Sequence, residues 1–112
     1  MDEIDASTRD AADAFLESAK QKFPVSGAML FGSRARRDNK PDSDADLAVF
    51  LAGEIGSFVK TKLAMADLAY DVLLETGVLI QPLPIWEQEW QHPDSYPDPR
   101  LLANIRRDGI FL

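Results

Sequence analysis

Cysteine is absent from this chain, so no disulfide can staple it and no thiolate can hold a metal. Histidine occurs once, at position 92, inside a proline-rich turn. A lone histidine with no positioned partner suits a structural or exposed role better than catalysis. Long apolar runs are also missing: residues 47–52 form one of the longest, far too short to span a bilayer. The acidic start "MDEIDASTRDAADAF" has neither the basic opening nor the apolar centre of a secretory leader, so a soluble cytoplasmic protein is expected. Basic residues are outnumbered, with 12 Lys and Arg against 19 Asp and Glu, a net charge of −7. That balance argues against broad, sequence-independent binding to nucleic acid, which needs a basic surface. A single nucleotide is still allowed, because local charge governs that event.

What is present describes a globular protein. An apolar fraction of 46% over 112 residues suits one domain, residues 1–112, burying roughly two-thirds of its unfolded surface. No internal repeat, low-complexity tract or linker divides it. Ala11, Phe15, Leu16, Ala19 and Phe23 recur at helical spacing over residues 6–22, and Pro24 stops that helix. Residues 25–31, "VSGAMLF", and 46–52, "DLAVFLA", read as buried strands. Val59, Leu63, Ala66, Tyr70 and Leu73 mark a helix from about 57 to 76, which Gly77 can end in the left-handed conformation. A third strand follows at 78–85, "VLIQPLPI"; Pro82 and Pro84 lack N–H donors, so it lies at a sheet edge or ends early. After a turn-rich stretch, residues 98–109 form a closing helix. Trp86, Trp90 and Tyr96 either cover the end of the core or form an aromatic contact surface, and covering the core is the usual role. This order predicts an α+β or α/β sandwich: a small mixed sheet covered by helices.

The densest chemistry lies in "LFGSRARRDNKPDSDADLAVFL", residues 30–51. Gly32 follows a strand and precedes a helix start at 33–37. There a glycine admits close approach of a ligand, and free N–H groups attract anions. Ser33 adds a hydroxyl donor, or simply caps the helix. Asp44 and Asp46 are two residues apart on a strand, so both carboxylates share one face. Their mutual repulsion raises one pKa, and a divalent cation relieves it. The plainer alternative is a turn in which Asp44 accepts backbone N–H groups and Asp46 begins the strand.

Taken together, Gly32-Ser33-Arg34-Ala35-Arg36 followed by Pro41-Asp42-Ser43-Asp44-Ala45-Asp46-Leu47 resembles the nucleotidyltransferase superfamily that includes DNA polymerase β. The resemblance is to its small stand-alone branch, the minimal nucleotidyltransferases, and it implies the nucleotidyltransferase fold. It further implies that Gly32 and Ser33 hold the phosphates of ATP or another nucleoside triphosphate. Asp44 and Asp46 would bind Mg²⁺ or Mn²⁺ as catalytic residues, and Arg34 and Arg36 would add positive potential beside the triphosphate. Solvated surface, or ion pairs with Asp38 and Asp42, is the alternative for the two arginines. The branch also implies transfer of AMP to a hydroxyl on a partner protein, a HEPN-type toxin, with this chain as antitoxin.

Two departures from that pattern stand out. Active relatives carry a third carboxylate on a later strand, yet "GVLIQPLPI" holds no acid; Gln81 is the polar residue in its place. An amide offers oxygen to a metal but cannot serve as a base near neutral pH. Arg37 also stands where such motifs often have glycine. A degenerate transferase that binds nucleotide, or neutralises a partner by contact alone, is therefore the competing reading.

Overall fold

The computed structural model describes residues 4–112. Helix α1 (Ala6–Lys22) starts at Asp5, whose carboxylate accepts the Thr8 N–H at 2.9 Å and the Ser7 hydroxyl at 2.8 Å. Burial alone would raise the Asp5 carboxyl. Those hydrogen bonds, a third from the Thr8 hydroxyl and the nearby charge of Arg34 outweigh it and hold the pKa at about 2. The helix ends at Phe23, one residue before Pro24, as the sequence predicts.

Strand β1 (Val25–Phe31) leads through α2 (Ser33–Arg36) to β2 (Ala45–Leu51), which pairs with β1 antiparallel. A parallel partner for β2 then requires a crossover, and α3 (Phe58–Thr76) supplies it before β3 (Ile80–Trp86). Ser57 caps the start of α3, and Gly77 ends it at φ 80°. The sheet order β3-β2-β1-β4 puts β3 at an edge, where Pro82 and Pro84 cost no ladder bonds. Strand β4 (Ile110–Phe111) pairs with Met29 and Leu30 on the other side, and no sequence signal announces it. The stretch read as turns holds α4 (Glu87–Gln91) and a 3₁₀ turn (Pro93–Ser95), then α5 (Pro99–Asp108). The architecture is the expected α+β one, a four-stranded mixed sheet covered by helices.

Alternation along β2 sorts the core into two layers. Ala45, Leu47, Val49 and Leu51 face α1 and α3, together with Phe15, Met65 and Val72. Ala48 and Phe50 face α5, together with Ile85, Leu102 and Ile105. Trp86 and Tyr96 are buried, and Trp90 packs on Phe50 with ring centroids 4.8 Å apart, so the aromatics cover the core. Exposed His92 caps α4 through its backbone N–H, a structural place.

Helix α3 corrects one detail of the periodicity. It exists where predicted, but its buried face is Met65, Leu68, Ala69 and Val72. Val59, Leu63, Ala66 and Tyr70 lie on its exposed side.

Candidate functional site

Gly32 is required twice at the exit from β1. Its backbone, φ 74° and ψ −156°, lies in a region that essentially only glycine occupies. A Cβ there would also stand 2.3 Å from Asp46 Oδ2, so a side chain would evict the carboxylate. Ser33 then opens α2, a single turn that ends at Arg37 with φ 64°. That left-handed residue shows why glycine suits this position: a side chain there costs ~1 kcal/mol or more.

Asp46 has the parity of Ala48 and Phe50, so it points toward the α5 side of the sheet, at the end where β2 begins. In the parallel register Asp46 lies beside Gln81, whose parity matches Leu83 and Ile85 on the same face. Asp44 immediately precedes β2 rather than lying within it. Gln81 Nε2 donates to Asp44 Oδ2 at 3.0 Å, so the three polar side chains converge across the loop and the two strands. Partial burial raises the Asp46 carboxyl, and the charge of Asp44 raises it further; Arg36 and Lys62 oppose both.

Among the described residues no group of three or more acidic, histidine or cysteine side chains is gathered, in keeping with the acid-free β3. The donor set is therefore two carboxylates and one amide. A hard divalent cation such as Mg²⁺ or Mn²⁺ fits it, since such ions use one or two carboxylates and complete their shell with water and phosphate oxygens. A cation there would offset both the burial and the Asp44 charge that raise the Asp46 carboxyl.

The basic residues divide in a way that the sequence does not show. Arg34 is 4% exposed, and its guanidinium bonds to groups other than Asp44 and Asp46. Its guanidinium donates to Ser43 O at 2.9 and 2.7 Å, to Pro41 O at 3.2 Å and to Thr8 Oγ1 at 2.8 Å. The expectation that Arg34 binds the triphosphate is thus corrected. It is a structural clamp that ties the loop before Asp44 to the start of α1 through buried Thr8. Arg36 stays on the surface, paired with Asp38 at 3.1 Å, and its charge still reaches Asp46. Lys62 has no motif around it, yet α3 brings its Nζ to Pro82 O at 3.1 Å, near Asp46. A cavity of about 510 Å³ lined by Leu16, Glu17, Lys20, Val25 and Leu112 opens on the opposite layer and contains none of these residues.

A glycine-serine turn after one strand, two carboxylates at the start of the next and a mixed sheet with helices on both faces match the nucleotidyltransferase fold. The profile of the "Polymerase beta, Nucleotidyltransferase" family matches residues 15–82, more than half of the chain and the whole of this site. The chain belongs to that family. Its fold is also similar to the crystal structure of a Sulfolobus solfataricus protein described as a candidate nucleotidyltransferase. The TM-score is 0.55 at 20% identity, covering 96% of this chain and 86% of that one. No curated protein matches the chain.

Proposed function

We propose that this protein transfers a nucleotidyl group, AMP from ATP being the expected case, to a hydroxyl group with the help of Mg²⁺. The observation that carries the reading is the convergence of Asp44, Asp46 and Gln81 beside the cramped Gly32 turn. In the reaction the acceptor oxygen bonds to the α-phosphorus, and the bond from that phosphorus to the bridging oxygen breaks. Pyrophosphate leaves with the electron pair, and the hydroxyl proton passes to a base or to water. Asp44 and Asp46 would hold Mg²⁺, which when bound neutralises charge on the phosphate oxygens.

The remaining work falls to other residues of this chain. Gly32 leaves room at the end of β1 for a phosphate to approach the backbone, and Ser33 offers its hydroxyl beside it. Arg36 and Lys62 supply positive potential, the role that buried Arg34 cannot fill. Gln81 holds Asp44 in place but cannot accept the proton, so general-base help of about 10²–10⁴-fold is forgone.

The family resemblance supplies the acceptor: a protein hydroxyl on a HEPN-type toxin, with this chain as its cytoplasmic antitoxin. No helix among the described residues is long and apolar enough to cross a membrane. Gln81 in the third position favours a second reading, a degenerate module that binds nucleotide and neutralises its partner by contact.

One assay separates the two. The protein is incubated with α-labelled ATP, Mg²⁺ and the candidate partner. Label should pass to the partner and fall at least about 10³-fold in Asp44→Ala or Asp46→Ala. Neutralisation that survives both substitutions, with no label transferred, would establish the contact-only module instead.

A further inference from the structure

The outer face of α3 carries a second apolar stripe that none of the described residues covers. Val59, Leu63, Tyr70 and Leu74 are between 58% and 69% exposed, with small Ala66 between them. At 100° per residue this stripe is centred about 150° from the buried face of Met65, Leu68, Ala69 and Val72. It runs about 22 Å along the helix. Such a continuous exposed apolar row marks an interaction surface.

We propose that this stripe docks on the same stripe of a second copy, the two α3 helices running antiparallel about a two-fold axis. An isologous interface must be self-complementary: if one residue meets another, the reverse contact must form too. The stripe meets that condition. Reflected about the point between Ala66 and Asp67, Val59 exchanges with Leu74 and Leu63 with Tyr70, while Ala66 exchanges with exposed Asp67 at the crossing, where the small alanine lets the helices approach.

The charges along one flank are polarised in the same sense. Lys60 lies in the first half and Asp67 and Asp71 in the second, at similar angles around the helix. Antiparallel pairing therefore sets Lys60 of each copy near Asp71 of the other and brings the two Asp67 side chains close at the axis, a repulsion that adds to that of the net charges. The stripe is on the α1–α3 layer, whereas Asp46 and Gln81 face the α5 layer, so the pairing leaves both candidate sites uncovered. One helix per copy makes a small interface, and each copy carries −7, so the dimer should be of micromolar strength and should tighten as salt screens the repulsion.

Sedimentation equilibrium on the purified chain at about 100 μM, well above a micromolar Kd, tests this. The mass should rise from 12.5 kDa toward twice that value, more fully at high salt. Leu63→Lys and Tyr70→Lys, both at exposed positions, should weaken association at least tenfold with an unchanged circular dichroism spectrum. Lys60→Asp should weaken it too, and adding Asp71→Lys should restore it. Because the chain has no cysteine, Ala66→Cys should oxidise to a covalent dimer while Asp94→Cys, on the other layer, should not. A chain that stays monomeric at this concentration, or a dimer indifferent to Leu63→Lys and Tyr70→Lys, would overturn the proposal. So would a stripe required only for binding a different protein.

Discussion

Gly32→Ala should abolish Mg²⁺-dependent ATP binding and lower the melting temperature by about 4 °C or more. Two costs combine at this residue. The backbone strain of φ 74° and ψ −156° is worth about 1–3 kcal/mol for a residue with a side chain. The added methyl carbon would also overlap Asp46 Oδ2, which stands 2.3 Å from its position. The carboxylate must then swing away from Asp44 and Gln81, dispersing the group that would hold the metal. Gly53→Ala separates the two costs, since Gly53 has φ 90° but nothing within 4 Å of a new Cβ. It should lose stability by a similar strain term and keep its ATP affinity. Calorimetry and thermal melts on both variants check this; equal loss of binding in the two would show that the Asp46 contact is irrelevant.

Gln81→Glu should raise the transfer rate by roughly 10²–10⁴-fold, the usual contribution of a positioned general base. Residue 81 lies beside Asp46 in the parallel register and already reaches Asp44, so the new carboxylate needs no new backbone. The substitution also carries a sign that activity alone would not reveal. It replaces an amide donor to Asp44 with a third negative charge, so without divalent cation the melting temperature should fall. Added Mg²⁺ should recover it, and by more than in the parent protein. A rate that does not rise, together with a melting temperature indifferent to Mg²⁺, would mean that residue 81 does not share the site.

How far the sequence discloses this molecule depends on whether the signal is local. Pro24, Gly77 and the two prolines of β3 end or place their elements through their own backbone chemistry, and each does so where expected. Gln81 is legible beside the aspartates only through the family resemblance, which puts a third carboxylate on this strand; the register that sets it next to Asp46 is read from the fold. The place of Arg34 is not legible, since a guanidinium in a basic cluster looks the same in sequence whether it faces a phosphate or the carbonyls of Ser43 and Pro41. Lys62 left no trace because only the crossing of α3 over the edge of β3 brings it near Asp46. Strand β4 is two residues long and exists through its pairing with Met29 and Leu30. On α3 the periodicity is correct and the face is not, because the helix has two apolar stripes and burial of one is decided by α1 and the sheet.

The central claim is that Asp44 and Asp46 form a cation-dependent nucleotide site. Titration calorimetry of ATP into the protein, with Mg²⁺ and then with chelator, tests it most directly when repeated on the Asp44→Asn/Asp46→Asn double variant. Binding should be seen with Mg²⁺ and should fall at least about tenfold, 1.4 kcal/mol, with chelator or in the double variant. ATP binding of equal strength in all of these conditions, or none in the parent protein with Mg²⁺, would contradict it.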